Sequence, residues 1–286
     1  MSLFCCPLCT APLTRGAQSY RCPNGHSFDI AAAGYTHLLP ANRKHSKAPG
    51  DDKEMVAARS AFLEQGYYLP LRRALEELAC SLTRDRSAPV LLDSGCGEGW
   101  YTAGLFHALS AQGKQPQVAG VDISKFALKK AAKRLPQGEF AVASVYHLPL
   151  ADQSADLITN VFSPLAAEEF ARILHPGGHY LYVVPSARHL WQMKEILYSQ
   201  PYENPVKTEI YPGFVHTGSI PVRETIRMED PAHWMALFHM TPYASKTPKE
   251  GIARLEPEIG FDIHIYQRQC PCRARGFPVI HTVSPN

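Results

Sequence analysis

Residues 90–101, VLLDSGCGEGWY, join a short apolar run to an acid and three alternating glycines. The apolar run predicts a buried strand of a parallel sheet that ends at Asp93. Gly95, Gly97 and Gly99 then predict a tight turn, because glycine lacks a Cβ and lets a ligand approach the backbone closely. The turn leads into a segment of helical character. This order is typical of a nucleotide-binding corner, although a plain strand–turn–helix corner shares it.

A second acid, Asp122, lies at the sequence position from which a carboxylate would bind the ribose of a nucleotide. Residues 118–121 predict a second strand that ends at Asp122, close to the expected offset of roughly 20 residues. A NAD-type G-x-G-x-x-G turn is excluded because Trp100 occupies its third glycine position. The G-x-G-x-G spacing instead resembles class I S-adenosylmethionine-dependent methyltransferases. A sulfonium ligand has no pyrophosphate, so the acids Asp93 and Glu98 are compatible with it. We therefore predict a methyl-donor site on a Rossmann-like α/β domain.

The rest of the domain continues to alternate between strands and helices. Further strands are predicted at residues 140–143, 156–164, 180–184, 214–227 and 261–266. Helices are predicted around Met55, Arg59, Phe62 and Leu63, around Leu71, Leu75, Leu78 and Leu82, after the cap Ser124, and at residues 188–198 and 232–238. The third strand ends at Ser144, where the adenine edge would lie in this fold.

The N-terminal segment carries four metal-ligand residues on two tight turns. Two residues separate Cys6 from Cys9, and three residues separate Cys22 from His26. Three thiolates and one imidazole form a closed Zn²⁺ site, which is structural because no position is left for water. Cys5 offers a second register, but Cys6 gives the better spacing. The segment is too short for a core of its own, so we expect the metal to hold it folded.

Composition and charge restrict the class of protein. The 286 residues are 45% hydrophobic and 19% charged, which is typical of a globular chain. The net charge is only +3, so any nucleic-acid contact must come from local clusters. Residues 43–47, RKHSK, and a stripe of Lys125, Lys129 and Lys133 are such clusters, and each is also explained as a solvated segment. No signal peptide or membrane span is expected, and we predict a cytoplasmic protein with reduced cysteines.

The zinc module and the methyl-donor motif together resemble the ribosomal large-subunit methyltransferase A family, the 23S rRNA (guanine-N1)-methyltransferases. The match runs from residue 4 to residue 268. Besides the metal ligands and the glycine turn, it rests on Gly34-Tyr35, Leu38-Leu39-Pro40, Pro49-Gly50-Asp51, Glu54-Met55, Ala58-Arg59, Phe62-Leu63, Gly66-Tyr67-Tyr68, Asp122-Ile123-Ser124-Lys125, Ala143-Ser144, Leu148-Pro149, Arg188-His189-Leu190 and Met240-Thr241-Pro242. Cys5, Phe162-Ser163-Pro164-Leu165 and the tail from Cys270 depart from the family pattern.

The resemblance implies an activity, a substrate and a set of ligands. It implies that the zinc ribbon and the basic strap bind a 23S rRNA hairpin, while the larger domain transfers a methyl group from S-adenosylmethionine. The implied target is N1 of guanine 745 in hairpin 35, a related branch modifies a nearby guanine, and the family forms homodimers. By position, it places Tyr68, Gly97, Glu98, Asp122 and His189 in the cofactor site. With the motif residues, the candidate cofactor-binding set is Tyr68, Asp93, Gly95, Gly97, Glu98, Gly99, Asp122, Ile123, Ser144 and His189.

The catalytic residues are less well defined by the sequence. Neutral guanine N1 carries a proton that must leave, and His189, Asp93 and Glu168 are possible acceptors, none of them singled out by spacing. Phe162, at the end of the fourth predicted strand, is a candidate for stacking on an unstacked guanine. A core phenylalanine is the alternative. Phe162 and His189 are thus the candidate catalytic residues.

Four segments are predicted along the chain. They are a zinc-binding RNA-recognition module at residues 1–40, a basic linker with helices at 41–88, a methyltransferase domain at 89–269 and an irregular tail at 270–286. Two other functions stay open at this stage. One is a methyltransferase of another RNA or of a small molecule, which would not bind rRNA hairpins tightly. The other is a non-catalytic zinc RNA-binding protein, which would not bind S-adenosylmethionine.

Overall fold

The computed structural model describes residues 2–40, 50–205, 210–241, 243 and 256–269. The strands are β1 (Thr14–Arg15), β2 (Ser19–Arg21), β3 (Ser27–Asp29), β4 (Tyr35–His37), β5 (Val90–Ser94), β6 (Gln117–Asp122), β7 (Glu139–Val142), β8 (Ala155–Val161), β9 (Leu174–Pro185), β10 (Phe214–Thr225) and β11 (Glu258–Arg268). The helices are α1 (Lys53–Glu64), α2 (Leu69–Leu82), α3 (Trp100–Ala111), α4 (Lys125–Arg134), α5 (Ala167–Ile173), α6 (Trp191–Leu197) and α7 (Pro231–His239). The strap at residues 43–47, Pro242 and the tail at 270–286 with Cys270 and Cys272 lie outside the described residues.

Eight strands form one mixed sheet in the order β10–β11–β9–β8–β5–β6–β7–β4. Neighbouring strands are parallel from β4 to β9, and β11 is antiparallel to both β9 and β10. The five central strands β7–β6–β5–β8–β9 therefore follow the 3-2-1-4-5 order of a doubly wound fold, whose chain direction across the sheet reverses between β5 and β8. This confirms the predicted α/β, Rossmann-like architecture, in which ligands bind at the carboxyl ends of the parallel strands near that reversal.

Each central strand buries side chains on both faces of the sheet, as the apolar runs predict. In β5, Leu91 packs into one cluster and Leu92 into the other, because successive side chains point to opposite faces. The first cluster contains the buried faces of α1 to α4, α6 and α7. The second contains α5 and the N-terminal module, including Phe4 and Tyr20. The module therefore covers a sheet face that helices cover in other doubly wound folds.

The N-terminal module is joined to the large sheet by backbone and side-chain contacts. Strands β1, β2 and β3 form a small antiparallel sheet, whereas β4 adds to the edge of the large sheet beside β7. Phe4 makes an isolated bridge to Leu150. Glu139 of β7 accepts hydrogen bonds from the Ser2 hydroxyl at 2.5 Å and the Tyr20 hydroxyl at 3.1 Å. The addition of β4 to this sheet was not predicted from the sequence.

Helix α1 lies where the sequence predicts it, whereas β9 and α6 begin at other residues than predicted. Helix α1 is capped by Asp52, which accepts from the N–H groups of Glu54 and Met55 at 2.9 Å. Strand β9 begins at Leu174 instead of residue 180, and its pairing with β8 jumps in register, so the Pro-Gly-Gly segment forms an irregular start of the strand. Helix α6 begins at Trp191, after a left-handed Leu190, instead of at residue 188.

None of the helices in the described ranges combines the length and the apolar character that crossing a membrane requires.

Candidate functional site

The glycine turn lies at the carboxyl end of β5 and is held against β6. Gly95, Gly97 and Gly99 have φ values of 78°, 54° and 74°, which are left-handed conformations that favour glycine. The N–H groups of Gly95 and Cys96 both donate to the carbonyl of Val121, at 2.8 and 3.0 Å. The turn is therefore fixed to the end of the neighbouring strand.

The three glycines differ in what surrounds them. A Cβ on Gly95 would lie 2.0 Å from the Ser163 Oγ atom, and a Cβ on Gly99 would lie 3.0 Å from Ala131 of α4. A Cβ on Gly97 would meet no atom within 4 Å. Gly95 and Gly99 thus allow close packing within the fold, whereas Gly97 faces open space at the crevice.

Asp122, the acid predicted to bind a ribose, lies at the end of β6 beside the glycine turn. Its two carboxylate oxygens accept hydrogen bonds from the Gly97 N–H at 2.9 Å and the Ser124 N–H at 2.7 Å. Burial raises the pKa of Asp122, and these two backbone hydrogen bonds oppose the rise. Each oxygen of a carboxylate has a second lone pair, so the side chain can still accept from ligand hydroxyls.

Asp93 is a buried acid below the glycine turn. Its side chain is 3% exposed and accepts a hydrogen bond from the Thr102 hydroxyl of α3. Burial raises the pKa of Asp93 to about 6, and the hydrogen bond from Thr102 opposes that rise. The carboxylate is ionised at neutral pH at a cost in free energy, which a cation bound nearby would offset.

Glu98 is also buried, but its side chain is directed toward helices α1 and α4. It is 1% exposed, and neither carboxylate oxygen accepts a hydrogen bond within 3.5 Å from the described residues. Burial raises its pKa, and the charges of Arg59, Arg134 and Lys130 oppose the rise. Unpaired buried carboxylate oxygens are unusual and indicate that a partner is missing.

Aromatic rings from four separate parts of the chain meet beside the carboxyl end of β8. The ring of Tyr68 lies 4.8 Å from Phe261, 6.4 Å from His189 and 6.5 Å from Phe162. Phe162 also lies 5.3 Å from Phe261. Tyr68 and Phe261 are buried, whereas Phe162 is 46% exposed and has a φ of 54°. Phe162 is therefore not a buried core residue, and its left-handed backbone is strained.

His189 is held as a neutral ring. Its Nδ1 atom accepts a hydrogen bond from the Gly260 N–H at 3.2 Å. Burial lowers the pKa of His189 to about 3, with further lowering by the positive charges of Lys194 and Arg223. A neutral imidazole whose Nδ1 accepts carries its proton on Nε2, so neither nitrogen is free to take up another proton. The other two possible acceptors differ from it, because Asp93 is buried below the turn and Glu168 is exposed in the first turn of α5.

The remaining candidate cofactor residues border the crevice on the β6 and β7 side. Ile123 follows Asp122 directly, and Ser144 lies just beyond the end of β7. A Cβ on Gly50 would lie 2.7 Å from the Ile123 side chain. The Ser124 hydroxyl donates to the Asp51 carbonyl at 2.6 Å. The start of the chain segment leading into α1 therefore covers this part of the crevice.

The four predicted zinc ligands lie together in the N-terminal module. One ligand atom from each of Cys6, Cys9, Cys22 and His26 falls within 4.8 Å of the others. The Nδ1 atom of His26 is 3.3 Å from the Cys22 sulfur and 3.5 Å from the Cys6 sulfur. Cys5 is absent from the group, so the register that begins at Cys6 is the one that the structure brings together. Three thiols and an imidazole are the donor set of a structural Zn²⁺ site.

Three residues near the crevice were missed as site residues in the sequence analysis. Arg59 of α1 forms an ion pair with Asp51, and the hydroxyl of Tyr101 in α3 is buried without a hydrogen-bond partner among the described residues. Phe261 of β11 contacts Tyr68, Phe162 and His189. They come from elements far apart in sequence. Only the occurrence of Arg59 in a motif shared with the resembled family drew attention to any of them.

Comparison with known proteins gives two family models that match this chain. Residues 4–47 match the model described as RlmA, N-terminal, a zinc ribbon, and residues 92–182 match the model described as Methyltransferase domain. A curated relative from Streptomyces fradiae, named 23S rRNA (guanine(748)-N(1))-methyltransferase, is 35% identical over 79% of this chain and 80% of its own length. The chain belongs to the ribosomal large-subunit methyltransferase A family, the 23S rRNA (guanine-N1)-methyltransferases.

Two further relatives agree with this assignment. A protein of Bacillus subtilis strain 168, named putative 23S rRNA (guanine-N(1)-)-methyltransferase YxjB, is 32% identical and covers 92% of this chain and 94% of its own length. A protein of Micromonospora griseorubida with the same putative activity in its name is 36% identical over 67% of this chain and 68% of its own length. The similarity to YxjB therefore spans the zinc ribbon and the methyltransferase domain together.

As a member of this family, the chain is an enzyme that uses S-adenosylmethionine and holds Zn²⁺ in its ribbon. The residues present fit both groups. The open space at Gly97 and the unpartnered polar atoms of Glu98 and Tyr101 lie around the glycine turn, as a bound donor would require. The convergence of Cys6, Cys9, Cys22 and His26 fits a tetrahedral metal ion.

Proposed function

We propose that this enzyme methylates N1 of a single guanine in hairpin 35 of 23S rRNA, and that guanine 745 is the target. The combination of an RlmA zinc ribbon with a methyl-donor crevice in one chain carries this proposal. The similarity to relatives named for guanine-N1 methylation over most of the chain supports it.

The target position has one specific alternative. The relative from Streptomyces fradiae is named for guanine 748, and it is 35% identical to this chain. Guanine 748 is therefore the second candidate position, and mapping the methylated nucleotide distinguishes the two.

The donor is proposed to lie across the carboxyl ends of β5 and β6. Asp122 holds the ribose hydroxyls, with Ile123 and Ser144 beside the adenine. Gly97 leaves space for the donor beside the backbone of the turn, and the buried carboxylate of Asp93 favours the positive charge of the donor.

Gly95 and Gly99 are proposed to shape the turn. Tyr68 and His189 are proposed to cover the methionine end of the donor. The support is the hydrogen bonding of Asp122 and the open space at Gly97.

The reaction is an in-line displacement, for which the bound donor would supply an electrophilic methyl group on sulfur. The sulfur would leave as the thioether of S-adenosylhomocysteine, and the guanine N1 proton would leave along a water path to solvent. The chain contributes alignment of the guanine with that methyl group and a pocket with little water. Phe162 is proposed to stack on the extruded guanine, because its ring is exposed beside Tyr68 and Phe261. His189 is proposed to position this aromatic group instead of accepting the N1 proton, because its Nδ1 is occupied and its pKa is lowered.

The ribbon and the strap are proposed to bind the hairpin through its phosphates. The ribbon carries two exposed basic side chains, Arg15 and Arg21, that can contact phosphates. Leu8 lies between two zinc ligands, is 59% exposed and is available for apolar contact.

We further propose that the protein is cytoplasmic and forms a homodimer, as the resemblance implies. Light scattering at several protein concentrations measures the mass of the protein in solution and so tests the homodimer.

The experiment that tests the function uses the full-length, zinc-loaded protein. Unmodified 23S rRNA is incubated with donor carrying a labelled methyl group, and the modified nucleotide is mapped by reverse transcription and mass spectrometry. We expect one N1-methylguanine, at position 745. Label at position 748 would show that guanine 748 is the target instead of guanine 745. Label on another RNA, on protein or on a small molecule would overturn the rRNA proposal.

A further inference from the structure

The methionine end of the donor carries a carboxylate, which needs a cation in a crevice rich in acids. Asp93 and Glu98 are buried at the glycine turn, and Asp122 is half-buried beside them. Carboxylates suit the sulfonium and the ammonium group of S-adenosylmethionine, but they repel its carboxylate. None of the candidate cofactor residues carries a permanent positive charge. The candidate side chains therefore leave the carboxylate of the donor without a cationic partner.

Arg59 is placed to do this. It lies on α1 one turn before Phe62, whose ring is 4.9 Å from that of Tyr68. It forms an ion pair with Asp51 through one terminal nitrogen, and the Asp51 carbonyl accepts from the Ser124 hydroxyl beside Asp122. Arg59 is thus connected to the ribose side of the crevice through Asp51, while its helix borders the methionine side.

The electrostatics of the crevice agree with this placement. Burial raises the pKa of Tyr68, Glu98, Tyr101 and Asp122, and the charge of Arg59 opposes the rise at all four groups. These groups lie at the N-cap of α2, in the glycine turn, in α3 and at the end of β6. Arg59 is therefore near four groups that come from different elements around the glycine turn.

Unpartnered polar atoms beside Arg59 indicate that a ligand belongs there. The Tyr101 hydroxyl and both carboxylate oxygens of Glu98 are buried without a hydrogen-bond partner among the described residues. A phenol can donate to a carboxylate, and a carboxylate can accept from an ammonium group. An α-amino acid end carries both groups. The arrangement is therefore complementary to a zwitterion with its carboxylate toward Arg59 and Tyr101.

We propose that Arg59 binds the carboxylate of the donor's methionine end and so selects S-adenosylmethionine over donors that lack this group. The guanidinium has five N–H donors, so it can hold a ligand carboxylate while one terminal nitrogen remains paired with Asp51. This inference rests on the proposed placement of the donor in the crevice, and it is independent of the rRNA position.

The test compares two donors on the same protein. Calorimetry measures the dissociation constants of S-adenosylmethionine and of decarboxylated S-adenosylmethionine, which lacks only the carboxylate. The proteins are the wild type, Arg59→Met, Arg59→Lys, and Arg73→Met as a control at an exposed arginine of α2. The ratio of the two constants does not depend on the fraction of folded protein, so partial misfolding of a variant does not affect it.

We expect the wild type and Arg73→Met to prefer S-adenosylmethionine by about 10- to 100-fold, as loss of a hydrogen-bonded charge pair predicts. Arg59→Met should bring the ratio close to one by weakening only the carboxylate-containing donor, and Arg59→Lys should retain an intermediate preference. An unchanged ratio in Arg59→Met would overturn the inference. Absence of donor binding by the wild type would instead overturn the proposed placement of the donor.

Discussion

At the scale of single residues, burial disfavours the ionised form of the acid that ends strand β5, Asp93. Burial raises the pKa of Asp93 to about 6 from the usual value of 3.8. Between these values the folded protein binds a proton that the unfolded chain does not bind. Asp93 therefore lowers the free energy of unfolding as the pH rises through about 6. The ligand-free enzyme carries this cost, and binding of a cationic donor offsets it.

The first prediction concerns Asp93→Asn. Without donor, the variant should be more stable than the wild type at pH 7.5, by about 1–3 kcal/mol, because an amide has no charge to bury. The difference should shrink as the pH falls through 6, where Asp93 in the wild type becomes protonated. The same variant should bind S-adenosylmethionine at least about tenfold more weakly. Urea unfolding at several pH values measures the first effect and calorimetry the second. A stability difference independent of pH would contradict the account.

The second prediction concerns Phe162, whose left-handed backbone and exposed ring distinguish a stacking role from a core role. Phe162→Ala should reduce methylation of a hairpin RNA by about 10- to 100-fold, since stacking on a base contributes about 1–3 kcal/mol. Its affinity for the donor should stay within about twofold, because the donor does not depend on this ring, and Phe162→Tyr should retain activity. Single-turnover rates and donor calorimetry measure these effects. Parallel loss of melting temperature and donor binding in Phe162→Ala would indicate a core residue instead.

At the scale of elements, local patterns were predictable and contacts between distant elements were not. The ligand spacings of the ribbon and the glycine turn lie within short segments, so their geometry follows from the chain itself. Strand β4 has three residues and no alternating pattern, and it is recognisable only by its pairing with β7. The positions of Arg59, Tyr101 and Phe261 depend on packing between α1, α3 and β11, which a local pattern does not encode.

The third prediction tests the glycine turn with a matched pair of substitutions. Gly97 and Gly113 both have a positive φ, and a Cβ on either would meet no atom within 4 Å. Gly97→Ala and Gly113→Ala should therefore cost similar stability, about 1 kcal/mol each, from the strained backbone. Only Gly97→Ala should weaken donor binding, because its methyl group would enter the space proposed for the donor. Equal donor affinities of the two variants would contradict this placement.

The fourth prediction separates the zinc ribbon from the donor crevice. Cys9→Ser should lose the bound zinc, unfold strands β1 to β3 and strongly weaken hairpin binding, because the metal holds this small sheet together. Donor affinity should change by less than about threefold, since the proposed donor residues lie outside the ribbon. Metal analysis, gel-shift titration and calorimetry measure the three properties. Equal loss of RNA and donor binding would show that the two sites are not separable.

At the scale of the whole molecule, one sheet joins the two parts of the enzyme. One face carries the helices around the donor crevice, and the other face carries the zinc ribbon. Glu139 and strand β4 fix the ribbon to the edge strand β7. The alternation of strands and helices predicted the sheet, and the ligand spacing predicted the ribbon. Their attachment was not predictable, because it depends on single contacts between segments more than 100 residues apart, such as Ser2 with Glu139.

The most direct test of this arrangement is a crystal structure of the zinc-loaded enzyme with S-adenosylhomocysteine and a hairpin-35 RNA. We predict the ribose hydroxyls of the ligand on Asp122, the target guanine stacked on Phe162 with N1 facing the sulfur, and the hairpin in contact with the ribbon. A ligand bound away from the ends of β5 and β6, or a hairpin that does not touch the ribbon, would contradict the account.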